Sequence, residues 1–292
     1  MATASANGID IEYETFGSPD DPAMLLIMGL GGQLIAWDDE LCRRLAAHGL
    51  HVIRFDNRDV GLSTKFHDAP LPDMMAVLQG DRSSVAYTLD DMAADAVGLL
   101  DALGIAKAHV VGVSMGGMIA QLLAIDHPER VLSLASIMST TGDPSVGAPT
   151  PEAMTILMRP PEQEREAVIA AEVDTHKVLG SPGFDFDEER TRRRATAAYD
   201  RSFYPAGTAR QVGAVVGATD RTERLSHLDV PTVVIHGSAD PLVTPSGGEA
   251  TAKAIPGAEL ITIEGMGHEL PPESWPTVVE AIVGNAEQGG PR

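Results

Sequence analysis

Residues 109–131 read HVVGVSMGGMIAQLLAIDHPERV. A short apolar run, Val110-Val111, enters a glycine-rich corner at Gly112-Val113-Ser114-Met115-Gly116, and an apolar helical pattern then runs to the break at His127-Pro128. Strand, tight turn with a central serine, then helix is the context in which a G-x-S-x-G match carries chemical meaning. A serine on so sharp a corner is strained, and it needs neighbours without a Cβ if its hydroxyl is to stand clear of the backbone. The helix beginning at Met115 would aim free N–H groups and its positive end at the place where an oxyanion develops. A buried strand–helix turn with an incidental serine fits the same stretch, and the rest of the chain weighs against it.

Upstream, Ile9–Phe16 alternates as a strand does and ends at Gly17-Ser18-Pro19-Asp20. Residues 23–28 form an apolar run of strand length that breaks into Gly29-Leu30-Gly31-Gly32, followed by a helical pattern over 36–47. His51–Phe55 is another short buried strand, closed by Asp56-Asn57-Arg58-Asp59-Val60-Gly61-Leu62-Ser63. Residues 65–84 are spotted with proline and read as loop. Over 88–103, Leu89, Met92, Ala96, Leu99, Leu100 and Leu103 recur at helical spacing, with Thr88 or Asp90 to cap the start. Residues 131–138 read as a strand again. A strand over 230–236, a helix over 245–255, a strand over 258–263 and a helix over 273–283 complete the rhythm, and residues 287–292 read as a frayed tail. Such alternation predicts an α/β architecture, a mostly parallel central sheet flanked by helices.

The rhythm stops between residues 142 and 224, where no short apolar strand occurs and only polar helical stretches appear, around 162–177 and 184–201. We therefore expect a core made of residues 1–141 and 225–292, with 142–224 inserted as a helical cap or lid. Five of the aromatic residues lie there: Phe184, Phe186, Tyr199, Phe203 and Tyr204. They suit the ceiling of a substrate pocket and equally the core of a small helical layer.

Composition narrows the function classes. A chain of 292 residues with net charge −21 is a poor match for nucleic acid or an anionic membrane. No apolar run approaches the roughly 20 residues of a membrane span. The N-terminal MATASANGIDIEY shows neither a basic region nor an apolar segment, and a single cysteine, Cys42, rules out an intrachain disulfide. These features fit the reducing cytoplasm. Nothing in the patterning specifies an oligomeric state.

A serine hydroxyl is a weak nucleophile at neutral pH and needs a base within hydrogen-bond reach, itself oriented by an acid. Ser114, Asp240 and His268 each fall just past the carboxyl end of an expected strand, in the chain order that one sheet architecture uses. Asp240 lies in Gly237-Ser238-Ala239-Asp240-Pro241 and His268 in Gly265-Met266-Gly267-His268. His236 lies inside a strand and reads as a core histidine; Asp143 is an alternative acid on a less well-formed loop. An oxyanion hole would draw its N–H groups from Met115 and from Leu30, whose flanking Gly29, Gly31 and Gly32 allow close approach. A nucleotide loop fails on pattern, because G-x-G-x-x-G would need glycine where Leu34 stands. No histidine pair has zinc spacing, so chemistry without metal or cofactor is expected.

Nearly the whole chain resembles the α/β-hydrolase superfamily of lidded esterases and lipases. The motifs that carry this are Gly29-Leu30-Gly31, residues 56–63, Gly112-Val113-Ser114-Met115-Gly116-Gly117, His127-Pro128-Glu129-Arg130-Val131, Gly237-Ser238-Ala239-Asp240 and Gly265-Met266-Gly267-His268. Two departures stand out: Met28 where the family usually has histidine, and Asp59 where glycine is usual. Both, with Met266-Gly267-His268-Glu269-Leu270-Pro271, are similar to aclacinomycin methylesterase-like bacterial hydrolases, which implies a methyl ester of a polyketide-type compound as substrate. A serine at 114 argues against relatives that use aspartate or cysteine there. The expected function is hydrolysis of a small-molecule carboxylic ester, small to bulky and apolar, through an acyl-enzyme. The same triad would also serve C–C bond hydrolysis or cofactor-free perhydrolysis, and a ligand-binding protein could reuse the scaffold. For the substrate pocket the candidates are Met28, Gly29, Met138, Phe184, Tyr199 and Met266, the methionines offering adaptable apolar surface.

Overall fold

Leu25 and Ile27 of β3 (Ala23–Ile27) face one apolar layer, while Met24 and Leu26 between them face another. Strands buried on both faces read as unbroken apolar runs, because alternate side chains enter opposite cores. In the computed structural model, which describes residues 1–290, the same holds for β4 (His51–Phe55), β5 (Ala108–Val113), β6 (Val131–Ile137) and β7 (Thr232–Gly237). With β1 (Ala2–Ala6), β2 (Ile9–Phe16) and β8 (Glu259–Ile263) they form one eight-stranded sheet in the order β1-β2-β4-β3-β5-β6-β7-β8. Pairing is antiparallel at β1–β2 and β2–β4 and parallel across the rest.

Two helices cover one face: α3 (Leu89–Ala102), through Leu89, Met92, Ala96, Leu99 and Leu100, and α4 (Met115–Asp126), through Ile119, Leu122 and Leu123. The other face carries α1 (Asp39–Ala46), by Leu41, Cys42 and Leu45, and α11 (Trp275–Gln288), by Val278, Val279 and Ile282. Thr88 caps α3 in a reciprocal box with Asp91. Cys42 is fully buried, and burial pushes its thiol up to about 12. The final helix runs on to Gln288, past the expected stop near 283. Positions 291 and 292 of the tail lie outside the described residues. No helix among the described residues is long and apolar enough to cross a membrane.

Three features depart from the sequence reading. Residues 2–6 form an edge strand although they carry no apolar run; the two-residue turn Asn7-Gly8, both at positive φ, folds them back on β2. The stretch 65–84 holds a short helix, α2 (Met74–Leu78), with Asp73 as its cap. Between β6 and β7 lie α5 (Pro151–Leu157), α6 (Arg165–Leu179), α7 (Glu188–Arg201), α8 (Pro205–Val216) and α9 (Thr222–Leu225), of which only α6 and α7 were expected, and α10 (Ser246–Ala254) joins β7 to β8.

The helix α8 is fixed by a buried ion pair. The turn after β4 places Asp59 at φ 68, and its carboxylate takes Nε of Arg210 at 2.7 Å and Nη2 at 3.2 Å. Both residues are almost fully buried. Gly207 lets the helix come this close, because a Cβ there would lie 2.0 Å from the Asp59 carbonyl oxygen. Burial pushes the Asp59 carboxyl up, but the Arg210 hydrogen bonds and the Phe66 N–H outweigh it and hold it below the ordinary aspartate value. A depressed native pKa contributes stability that is complete above the unfolded value of about 3.9 and is lost as pH falls through the native one. Asp59→Asn should therefore cost on the order of 3 kcal/mol at pH 7. Urea midpoints should show the gap to wild type closing as pH drops below about 4.

Candidate active site

The strand order puts β3 between β4 and β5, so the chain leaves β3 toward one neighbour and later returns to pair with its other edge. Loops at the carboxyl ends of β3 and β5 thus part at a topological switch point, where open parallel sheets bind ligands. Ser114 follows β5 there, at φ 56 and ψ −120. This is a costly conformation for a residue with a side chain, and its surroundings enforce it. A Cβ on Gly112 would lie 2.1 Å from the Gly116 carbonyl oxygen, and one on Gly116 would lie 2.1 Å from that of Ile27. The Ser139 hydroxyl donates to the Ser114 carbonyl at 2.8 Å and holds the corner from the side.

His268 Nε2 lies 3.0 Å from Ser114 Oγ, and His268 Nδ1 lies 2.7 Å from Asp240 Oδ2. Asp240 is 2% exposed, and its other oxygen accepts the N–H groups of Leu242 and Val243 at 2.9 and 3.0 Å. That leaves Oδ2 to fix the imidazole with Nε2 toward the serine. The loops that carry Asp240 and His268 are joined, since Gly265 N–H donates to Ser238 Oγ and Ala239 N–H to the Met266 carbonyl. The His268 loop is also held from outside the sheet. His268 N–H donates to the Leu179 carbonyl at 2.7 Å and Gly267 N–H to Ser181 Oγ at 3.0 Å. Asp143, the alternative acid, is taken up by Ser145. His236 is buried, as a core histidine should be, but only Nε2 is satisfied, by the Val243 carbonyl at 2.7 Å; Nδ1 has no hydrogen-bond partner among the described residues. Burial holds its pKa below the ordinary histidine value.

A cavity of about 350 Å³ opens over Ser114 and His268. Met28, Gly29 and Met138 line it, as does Leu30, whereas three expected lining residues do not. Phe184 and Met266 join the apolar layer under α11, Met266 with no exposed surface, and Tyr199 stacks on Phe203 with centroids 4.7 Å apart. The corrected lining is more polar. Glu172, Thr175, His176 and Leu179 recur at helical spacing on α6, Arg190 and Arg194 on α7. That spacing was visible in the sequence; which helix lies over the serine was not. Arg190 pairs with Asp38 at 2.9 Å, whereas Arg194 donates to the Ala36 carbonyl at 2.8 Å and has no carboxylate within ion-pair distance among the described residues. Burial lowers its pKa. A second cavity, of about 400 Å³, shares Leu157, Glu172 and Thr175 with the first but does not reach Ser114.

Residues 22–274 match the model of a family described by its alpha/beta hydrolase fold. The chain is 34% identical to rhodomycin D methylesterase DnrP of Streptomyces peucetius over 280 residues, 88% of either protein. The chain belongs to the α/β-hydrolase family. It is also 26% identical to 3-oxoadipate enol-lactonase 2 of Acinetobacter baylyi, over 96% of both chains. The meta-cleavage product hydrolase CumD of Pseudomonas fluorescens superposes with a TM-score of 0.76, covering 99% of this chain and 98% of that one at 20% identity, a likeness of fold.

Both departures from the usual α/β-hydrolase pattern have a structural setting. Asp59 occupies the left-handed position that glycine fills elsewhere and uses its carboxylate to bind α8. Met28 fills the space beside Gly32, and its carbonyl accepts a hydrogen bond from Asn57 Nδ2 at 2.9 Å, so the loop is tied down without a histidine. The contact of Gly112 with Gly116 is one of the two tightest points of the corner. Gly112→Ala should cost about 3 kcal/mol and slow labelling of the Ser114 hydroxyl by a fluorophosphonate about 100-fold. Thermal unfolding and labelling rates check both.

Proposed function

We propose that this α/β hydrolase is a serine carboxylic-ester hydrolase working through an acyl-enzyme. The observation that carries the reading is the chain of contacts from Ser114 Oγ to His268 Nε2 at 3.0 Å and from His268 Nδ1 to Asp240 Oδ2 at 2.7 Å, at the floor of a cavity. Ser114 Oγ attacks the ester carbonyl carbon as His268 Nε2 takes its proton. Negative charge moves to the carbonyl oxygen, which the N–H groups of Leu30 and Met115 receive. Met115 opens α4, so its N–H has no acceptor within that helix. Collapse of the intermediate breaks the bond to the alcohol, which leaves with the proton from His268. Water then gives a proton to His268 as it attacks the acyl carbonyl, and collapse of this second intermediate breaks the bond to Ser114 Oγ, which takes the proton back from His268 as the acid is released. Asp240 holds the tautomer and stabilises the imidazolium throughout.

Residues 142–224 act as the cap that shapes the substrate site. The polar lining from α6 and α7 favours an ester whose acyl part is bulky and carries oxygen acceptors, with Arg194 free to donate to one of them. A methyl ester of an oxygenated polycyclic acid fits this description, and the similarity to rhodomycin D methylesterase supports it.

Ser114→Ala should lower kcat on a p-nitrophenyl ester by about 10⁴-fold or more. Initial rates and intact mass on the same samples give the check. Multiple turnover with a transient acyl mass on wild type is expected; turnover unchanged in the variant would refute the mechanism. Preference for a diketone, or for an ester only with peroxide present, would instead assign the triad to C–C hydrolysis or perhydrolysis. Arg194→Met should raise KM for hydroxylated aromatic methyl esters about tenfold while leaving plain alkyl esters within about threefold. A panel of paired esters measures this.

A further inference from the structure

The glycine loop after β3 makes a tight turn. Gly32 N–H donates to the Gly29 carbonyl at 3.2 Å, and Gly31, third in the turn, has φ +66, as a type II turn requires. Leu30 is the second residue of that turn, so the turn's own hydrogen bond leaves its N–H unused. The loop is tied down on the strand side by Asn57 Nδ2, which donates to the Met28 carbonyl, and beyond the turn by Asp56 Oδ1, which accepts Leu34 N–H at 2.7 Å. The turn itself is held by α8. Gln211, with no exposed surface, accepts Gly31 N–H through Oε1 at 2.8 Å and donates through Nε2 to the Arg58 carbonyl at 2.9 Å. Only one orientation of the amide satisfies both partners, because the flipped one would set its NH₂ against an N–H. Thr208, one turn earlier on α8, packs against the same glycine: a Cβ on Gly31 would lie 3.1 Å from its methyl carbon.

We propose that Gln211 is a positioning residue for the oxyanion hole: by holding the Gly31 N–H it fixes the peptide plane next to Leu30, so that the Leu30 N–H stays aimed at the substrate carbonyl. The inserted helices then supply part of the catalytic backbone's support as well as a roof for the substrate. This rests on the reading of Leu30 and Met115 as oxyanion donors. Gln211 never touches the substrate, and its effect passes through one backbone amide. Losing a well-placed oxyanion donor costs about 10²–10³ in kcat, and misaiming one costs part of that.

The test compares Gln211→Leu, which removes both hydrogen bonds, with Gln211→Glu, which keeps an oxygen for Gly31. Arg210→Met serves as the control, because it loosens the same helix through the Asp59 pair without touching the glycine loop. Rates on a p-nitrophenyl ester are measured together with the affinity of an alkyl trifluoromethyl ketone, whose serine adduct places a negative oxygen in the hole. Gln211→Leu should lose about 10–100-fold in kcat with KM within about threefold, and the ketone should weaken in parallel. Gln211→Glu should fall between it and wild type. Arg210→Met should lower Tm while keeping kcat and ketone affinity within about threefold of wild type. If Gln211→Leu does not fold, Gln211→Glu alone decides, since a position between wild type and a tenfold loss in both readouts is required of it. Unchanged kcat and ketone affinity in the Gln211 variants would overturn the proposal, as would an equal loss in Arg210→Met. Should wild type hydrolyse no ester, the ester reading fails on its own, and the ketone affinities still decide on Gln211. A wild type that binds the ketone no better than Ser114→Ala overturns both.

Discussion

The backbone of Ser114 sits where a residue with a side chain is reluctant to be, at φ 56. Such a conformation costs of order 1–3 kcal/mol and persists only when the surroundings leave no alternative. Those surroundings are the strands and helix on either side. Val110 to Val113 and Met115 to Ala120 are buried, so neither flank can relax without opening the core. Because Gly116 lets α4 pass against the Ile27 carbonyl, the end of β3 comes to lie beside the serine. The glycine loop, the cavity floor and the approach of His268 all take their places from that corner.

Around it, buried charge is arranged in pairs. Along and after the turn that follows β4, Asp56 meets Arg201 at 2.8 Å, Asp59 meets Arg210, and Arg58 meets Asp95 at 2.6 Å. Two of these arginines come from helices inserted more than 140 residues later in the chain. Pairs of this kind add little to net stability, since desolvation consumes most of the attraction, but a mispaired arrangement would strand a charge in the interior. They therefore select one seating of α7 and α8 on the sheet. Gln33 adds to this by donating to the Ala198 and Ser202 carbonyls at the end of α7.

How much of this the sequence disclosed varies with the range of the interaction. The elbow, the strands on either side of it and the order of Ser114, Asp240 and His268 follow from local spacing and turn chemistry, so they were legible. The edge strand β1 was signalled by Asn7-Gly8 alone, because its own residues are mostly exposed and carry no apolar pattern. The helix α8 was hidden by Gly207 and Gly213, which cost about 1 kcal/mol each in a helix interior, and by Gly217 just past its end, so that the stretch reads as loop. Two of them are there for close approach, Gly207 to Asp59 and Gly213 to Pro72. The cavity lining was misjudged for a related reason. Phe184, Tyr199 and Met266 are apolar enough for a pocket, yet each has a nearer apolar neighbour, and periodicity does not say which face of a helix meets the sheet.

The separation of the parts along the chain also bears on synthesis. The corner with Ser114 belongs to the first half of the polypeptide, and domains made on a ribosome begin to organise from that end. The base of the proposed mechanism arrives only with residue 268, and the carbonyl of Leu179 and the amide of Gln211 that brace two loops of the site come between. A chain that has formed only β5 and α4 thus lacks the partners that the proposed mechanism requires. Ser114, Asp240 and His268 come within reach of one another only when β7 and β8 join the sheet beside β6.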